Sequence, residues 1–200
     1  MMLKYKLILI LAFILLGSCS SGQRISFQLP VDCVPGQTCW LVNYVDHNIE
    51  KHPTDYMCGR LAKTGHDGID IAIRDMIEVE KGIVVRAAAD GGVMLIEDGM
   101  PDTGKDGLLK NSDDINSCGN QVIIDHGNGW LTLYCHLRQN SVTVKLKEKV
   151  SAGQKIGLVG MSGEATFPHL HFSVVYNHDV TTYQTSNFDI VDPFVGTIDF

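Results

Sequence analysis

Two pairs of residues in this chain have the types and spacing needed to bind a cation. In Pro168-His169-Leu170-His171-Phe172 the two imidazoles lie two residues apart, so an extended strand projects both to one face. In Gly65-His66-Asp67-Gly68-Ile69-Asp70 the glycines disfavour a helix, and in an extended chain His66 and Asp70 point the same way. One imidazole and one carboxylate form half of a zinc site, although a surface His beside a turn Asp has the same pattern.

A third candidate is His136, which ends the segment Leu133-Tyr134-Cys135-His136-Leu137. A single His beside apolar residues is more often a hydrogen-bonded core residue than a catalyst. Cys135 and His136 are neighbours with opposed directions in a strand, so they do not form a Cys–His dyad. The sequence also lacks a Gly-x-Ser-x-Gly segment and a Gly-rich phosphate loop.

The elements that must position these residues are predicted to be short strands separated by glycine turns. No long amphipathic helix is indicated, so the predicted fold class is all-β. Ala89-Asp90-Gly91 and Asn128-Gly129 are each predicted to connect two strands of a hairpin. The predicted strands are Ile25–Leu29, Trp40–Tyr44, Lys81–Ala88, Gly92–Glu97, Asn120–Asp125, Trp130–Leu137, Val142–Leu146 and Lys155–Val159.

The composition of the 200 residues fits one domain with short extensions. Hydrophobic residues make up 44% and charged residues 20%, which supports a packed core. The formal net charge is −7, so we expect no nucleic-acid partner that relies on a basic surface.

The N-terminus has the features of an export signal. Lys4 and Lys6 precede the apolar run 7–16, which as a helix spans about 15 Å, half of a bilayer core. Leu16-Gly17-Ser18-Cys19 resembles a bacterial lipobox, in which the cysteine is lipidated and becomes the mature N-terminus. We therefore expect a membrane-anchored lipoprotein of the cell envelope, with plain secretion as the alternative.

Export permits disulfides, and five cysteines follow Cys19. Five is an odd number, so at least one thiol is free or pairs with another chain. Cys33 and Cys39 flank the turn residues Pro35-Gly36, which predicts a local bridge. A second bridge is predicted between Cys58 and Cys118, which leaves Cys135 as a small apolar residue in a strand.

The order of the motifs indicates a family. The chain has His-x-x-x-Asp at 66–70, Tyr-x-His-Leu at 134–137 and Pro-His-Leu-His-Phe at 168–172, with Ser162-Gly163 just before the last. In these residues, across roughly 65–175, it resembles the lysostaphin-like zinc metallopeptidases, which cut peptide bonds in bacterial peptidoglycan. Many relatives carry an acid directly after His-x-His-Phe, where this chain has Ser173.

The resemblance implies a Zn²⁺ site formed by His66, Asp70 and His171, with His136 and His169 as catalytic residues. Three protein ligands leave a fourth position for water, which is typical of catalytic rather than structural zinc. His136 and His169 would transfer protons and stabilise the oxyanion, and the sequence does not decide which residue takes which role. The implied fold is a mostly antiparallel sheet that lines a narrow groove with loop walls, and the polar run 98–117 is a candidate wall.

The implied function is a zinc-dependent endopeptidase that acts on peptidoglycan peptides. Two alternatives remain: a secreted metallopeptidase that acts on proteins with the same residues, and a non-catalytic regulator of wall hydrolases. The expected organisation is a lipoprotein-type signal peptide over 1–18, an extension with a Cys-rich segment over 19–60, a metallopeptidase core over 61–180 and a C-terminal tail over 181–200.

Overall fold

The computed structural model describes residues 25–107, 117–177 and 188–195, and these ranges form an antiparallel β fold with little helix. The predicted all-β class is confirmed. The strands are β1 Cys39–Asn43, β2 Ile69–Ile73, β3 Val84–Arg86, β4 Gly91–Glu97, β5 Gln121–Gly127, β6 Trp130–Cys135, β7 Lys149–Val150, β8 Lys155–Leu158, β9 His169–Asn177 and β10 Phe188–Val191. The helix α1 covers Met76–Lys81, and Gly104–Gly107 forms a 3-10 turn.

The main sheet has the strand order β1-β2-β9-β6-β5-β4-β7, and β10 pairs with the second half of β9. Its long strand β9 shows a period of two. Leu170, Phe172 and Val174 point into the hydrophobic core and are fully buried. His169, His171 and Ser173 point to the opposite face and line a groove. The alternation of apolar and polar residues along β9 therefore separates the core from the site.

The core lies between the main sheet and a second layer that contains the two-stranded sheet β3-β8. Val85 and Ile156 from that sheet are fully buried, and Phe27 packs with them from the N-terminal segment. Burying one such side chain stabilises the fold by roughly 1.5–3 kcal/mol. Tyr134 is also buried, and its hydroxyl accepts a hydrogen bond from Ala88 N at 2.8 Å.

The hairpin predicted around Asn128-Gly129 is confirmed, because β5 and β6 pair directly across it. The hairpin predicted around Asp90 is wrong, since β3 pairs with β8 and β4 pairs with β5 and β7. Residue 81 ends a helix rather than beginning a strand: Asp75 caps α1 and Gly82 ends it at φ 87°. One turn and a half of helix is too short to show a helical period. Within the described ranges, neither 25–29 nor 142–146 forms a strand.

Two disulfides are present in the part of the chain that the structure describes. Cys33–Cys39 is confirmed, with the two Cα atoms 5.8 Å apart. The predicted Cys58–Cys118 pair is wrong: Cys118 bonds to Cys135, and Cys58 is an exposed free thiol. The β5–β6 pairing places Val122 opposite Tyr134, so the segment that enters β5 lies beside the end of β6. In the described ranges, no helix has the length and apolar character that crossing a membrane requires.

Candidate metal centre and active-site groove

The structure brings all five predicted site residues to one groove, and three of them converge on one point. The possible ligand atoms of His66, Asp70 and His171 all lie within 4.8 Å of one another. Asp70 Oδ1 is 3.0 Å from His66 Nε2 and 3.0 Å from His171 Nδ1. This cluster is a candidate site for a metal ion.

Strand register explains the convergence. In the antiparallel pair β2–β9, Asp70 lies directly opposite His171, and on the other side of β9 His171 lies opposite Cys135. His136 follows Cys135 and so reaches the same end of the groove. His66 precedes β2, and its ring Nδ1 donates to the main-chain carbonyl of Tyr44 at 2.8 Å. That hydrogen bond leaves Nε2 of His66 free to bind a metal.

Asp70 is almost completely buried, and both of its oxygens have partners. Oδ1 faces the histidines, while Oδ2 accepts from Asn43 Nδ2 at 2.7 Å and from Lys63 Nζ at 3.1 Å. Burial alone would raise the pKa of Asp70, but hydrogen bonds from His169, His171 and His66 outweigh it and hold the pKa far below its usual value. The carboxylate is therefore ionised and oriented with one oxygen toward the cluster.

The other ring nitrogen of His171 points away from Asp70. His171 Nε2 lies 2.9 Å from Ser173 Oγ and 3.2 Å from Asp67 Oδ1. Burial lowers the pKa of His171, but the contacts with Asp67 and Asp70 outweigh it and raise the pKa to about 9. Because the proton on Nε2 faces Ser173 and Asp67, Nδ1 is the nitrogen of His171 that can bind a metal.

These donors fit zinc. Two imidazole nitrogens and one carboxylate oxygen match the ligand types that zinc takes in proteins, and three protein ligands are the number found in catalytic sites. The partner of each ring is also present: Tyr44 O for His66, and Ser173 and Asp67 for His171. Such partners fix the tautomer and orientation of a metal-binding imidazole.

His136 and His169 form a second pair beside the cluster, with ring centroids 4.6 Å apart. His136 Nδ1 donates to Ser162 O at 2.7 Å, and His169 Nδ1 donates to Phe167 O at 2.8 Å. Burial, together with the charges of His169 and His171, lowers the pKa of His136 to about 3. His136 is therefore neutral at pH 7, and its Nε2 is a proton acceptor.

The groove around these residues encloses a cavity of about 650 Å³. Its floor comes from the outer face of the sheet, and its charged lining beyond the histidines and Asp70 consists of Lys63, Asp67 and Glu164. Ser117 and Cys118 lie on one wall, which is where the run 98–117 ends. Residues 108–116 of the expected wall lie outside the described residues.

Besides the contact of Asp67 with His171, sequence reasoning missed three groups that contact the cluster. Asn43 and Lys63 bind Asp70, and the carbonyl of Tyr44 binds His66. Asn43 and Tyr44 come from the segment expected to be an N-terminal extension. Nothing in their types or local spacing marks them, because β1 reaches the site only through its pairing with β2, in which Asn43 lies opposite Asp70.

The model of peptidase family M23 matches residues 64–182, more than half of the chain and all five site residues. This chain belongs to peptidase family M23. The expected resemblance to the lysostaphin-like metallopeptidases is thereby confirmed.

Curated relatives and a solved structure agree with this family. The peptidoglycan DD-endopeptidase ShyA of Vibrio cholerae is 42% identical over 73 residues, which cover 36% of this chain and 16% of that protein. The DD-carboxypeptidase/endopeptidase Mpg of Neisseria meningitidis is 36% identical over 112 residues, 56% of this chain and 20% of that protein. The crystal structure of a zinc-containing peptidase from Vibrio cholerae superposes with a TM-score of 0.53 and 26% identity, over 84% of this chain and 39% of that one. This M23 chain thus matches no more than a fifth of the length of either curated relative.

Proposed function

We propose that this chain is a zinc-dependent endopeptidase that hydrolyses peptide bonds in bacterial peptidoglycan. The observation that carries the proposal is the convergence of His66, Asp70 and His171 opposite two further imidazoles in an open groove. Family membership and the endopeptidase names of the relatives support it. The presence of all five residues disfavours a non-catalytic regulator.

In the proposed mechanism His66, Asp70 and His171 would hold the zinc ion, and the donor atoms that converge are Nε2, Oδ1 and Nδ1. When bound, zinc acts as a Lewis acid toward the scissile carbonyl and lowers the pKa of a coordinated water from 15.7 to about 7. Asn43 and Lys63 hold the other oxygen of Asp70, so the carboxylate keeps one orientation.

His136 and His169 are assigned the proton transfers. His136 is neutral and offers Nε2, which accepts a proton from the attacking water and returns it to the leaving amine. Both ring nitrogens of His169 face acceptors, Phe167 O at 2.8 Å and Asp70 Oδ1 at 3.4 Å. We assign His169, the second imidazole beside the cluster, to stabilisation of the developing oxyanion.

The test is mass spectrometry of purified peptidoglycan after incubation with the zinc-loaded full-length chain in detergent. A His136→Ala variant with the same zinc content is the control. New peptide ends that appear with the wild type alone would support the proposal and identify the bond. Absence of new ends at one zinc per chain would contradict it, and folded protein substrates would be tested next.

We propose that the chain is exported and anchored to a membrane as a lipoprotein. Lys4 and Lys6, the apolar run 7–16 and Cys19 support this, and all lie outside the described residues. The proposed organisation is a signal peptide over 1–18, an extension over 19–60, the core over 61–180 and a tail over 181–200. A lipid anchor would place the groove beside the cell wall.

A further inference from the structure

His171 Nε2 is the ring nitrogen of the metal cluster that faces two different acceptors. Ser173 Oγ lies 2.9 Å from it and Asp67 Oδ1 lies 3.2 Å from it. Ser173 follows on the same face of β9 and is buried, while the side chain of Asp67 reaches in from the groove rim with 61% of its surface exposed. The Ser173 hydroxyl oxygen accepts a hydrogen bond from the Nε2–H group of His171, and the Asp67 carboxylate places a negative charge beside it.

The chemistry of metal-binding imidazoles gives this contact a role. An imidazole that binds a metal through one nitrogen carries its proton on the other, and a carboxylate next to that proton fixes the ring and increases its basicity. The uncharged hydroxyl of Ser173 orients the proton without adding charge. In the described part of the chain, Asp67 is the acid that contacts His171 Nε2.

The backbone holds Asp67 in this position. Gly68 packs so closely that a Cβ atom there would lie 2.5 Å from Ser173 Oγ and 2.9 Å from His171 Cε1. The main chain at 67–68 therefore lies directly against Ser173 and against His171, the residue that the Asp67 carboxylate contacts. Lys63, a cation of the groove lining, is engaged with Asp70.

We propose that Asp67 is a positioning residue that keeps the proton of His171 on Nε2, directs Nδ1 to the metal and so sets the affinity for zinc. The proposal rests on the zinc site of the proposed function and is independent of its peptidoglycan substrate. It also distinguishes Asp67 from Glu164, an acid of the same groove for which the described contacts include none with a metal-binding histidine.

The test measures zinc affinity of the full-length chain by competition with a chromophoric chelator. Asp67→Asn keeps the size of the side chain and removes its charge, and we expect zinc to bind about 10- to 100-fold more weakly. Asp67→Glu restores a carboxylate and should recover most of the loss. Glu164→Gln removes one charge from the same groove and should leave the affinity unchanged within about twofold.

A spectroscopic readout follows the tautomer itself. In the zinc-loaded wild type, long-range ¹H–¹⁵N correlation of His171 should show a proton on Nε2 and none on Nδ1, and Asp67→Asn should broaden or shift that Nε2–H signal. Three results would overturn the proposal: wild-type affinity in Asp67→Asn, an equal loss in Glu164→Gln, or an Asp67→Glu variant no better than Asp67→Asn. Retention of stoichiometric zinc by His171→Ala would instead refute the proposed zinc site.

Discussion

The ring Nδ1 of His136 donates to the main-chain carbonyl of Ser162 over 2.7 Å, across the boundary between β6 and the segment that leads into β9. The main-chain N–H of His136 is also bound, to Cys118 O at 2.8 Å. His136 has φ of 60°, a left-handed conformation that costs energy for a residue with a side chain. The fold thus holds His136 with its Nε2 toward the groove.

We expect His136→Ala to bind zinc normally and to lose turnover. His136 is not among the three converging ligands, and loss of a general acid–base group typically lowers kcat about 10²- to 10⁴-fold. Zinc content by atomic emission and kcat on isolated peptidoglycan would be measured on the same sample. A rate close to wild type would remove His136 from the mechanism.

Ser162→Ala should lower both stability and kcat while zinc remains bound. Ser162 Oγ is fully buried, accepts from Asn120 N at 2.9 Å and donates to Leu137 O at 2.8 Å. In the variant Asn120 N loses this acceptor, whereas Leu137 O keeps a hydrogen bond from Asn120 Nδ2 at 2.9 Å. A buried donor without a partner costs about 1–3 kcal/mol, measurable by urea unfolding. Ser141→Ala removes an acceptor for Leu158 N, and neither residue lines the groove, so this variant is the matched control and should leave kcat unchanged. Equal kcat in the two variants would contradict the positioning of His136 through Ser162.

Zinc affinity should increase with pH up to about pH 9. Contacts with Asp67 and Asp70 overcome the effect of burial and raise the pKa of His171 from 6.5 to about 9. A bound proton must leave before zinc coordinates, so the apparent affinity should rise about tenfold per pH unit between pH 7 and 9 and then level off. Chelator competition from pH 6.5 to 9.5 measures the slope, and a flat profile below pH 9 would contradict it.

The same shift predicts how the stability of the zinc-free chain depends on pH. Because the folded-state pKa of His171 is raised, its contribution to stability is complete below pH 6.5 and is lost as the pH rises through about 9. His136 has the opposite sign: its pKa is lowered to about 3, so acidification from pH 6.5 toward 3 destabilises the fold. In urea unfolding of the zinc-free protein, the free energy of unfolding should therefore fall as the pH rises above 6.5 toward 9 and as it drops below 6.5 toward 3.

Removing the Cys118–Cys135 disulfide should affect both stability and catalysis. The bond closes a loop with a sequence separation of 17, for which chain entropy predicts about 3 kcal/mol of stabilisation. Both cysteines line the groove, and Cys118 O binds His136 N. A Cys118→Ala/Cys135→Ala variant should therefore unfold at lower urea and turn over more slowly.

The Cys33–Cys39 bridge provides the comparison for that variant. The sequence separation of its two cysteines is 6, for which the same chain-entropy relation gives about 2 kcal/mol of stabilisation. Cys33→Ala/Cys39→Ala should lose stability but retain kcat at temperatures where it is folded. An equal loss of kcat in the two double variants would indicate general loosening of the fold rather than a specific effect on His136.

Cys19→Ala should release the chain from membranes if Cys19 carries the lipid. One or more acyl chains on this residue would be the anchor, since the apolar run 7–16 is about half the length needed to span a bilayer. Fractionation of cells that express each form, followed by immunoblotting, measures the change. Continued membrane association of Cys19→Ala would point to a different anchor.

The sequence by itself determined the class of the fold and predicted the candidate residues of the site. The period of two in His169-Leu170-His171 is a local property of an extended backbone, so it could be recognised without knowing any partner strand. The same holds for His66 with Asp70 and for the Asn128-Gly129 turn, whose connection between β5 and β6 is confirmed. Local geometry and side-chain chemistry indicated these candidates, and the resemblance to the lysostaphin-like metallopeptidases implied the role of each residue.

Only the tertiary structure decided which segments meet. Asn43 donates a hydrogen bond to Asp70, Asp67 contacts His171, and Cys118 forms a disulfide with Cys135. Strand β3 pairs with β8 rather than with β4. Each contact joins residues from different strands or loops, and its partner is selected by strand register and by packing of the whole core. Strand register and core packing depend on residues far apart in the chain, whereas the motifs depend on neighbours within a few positions.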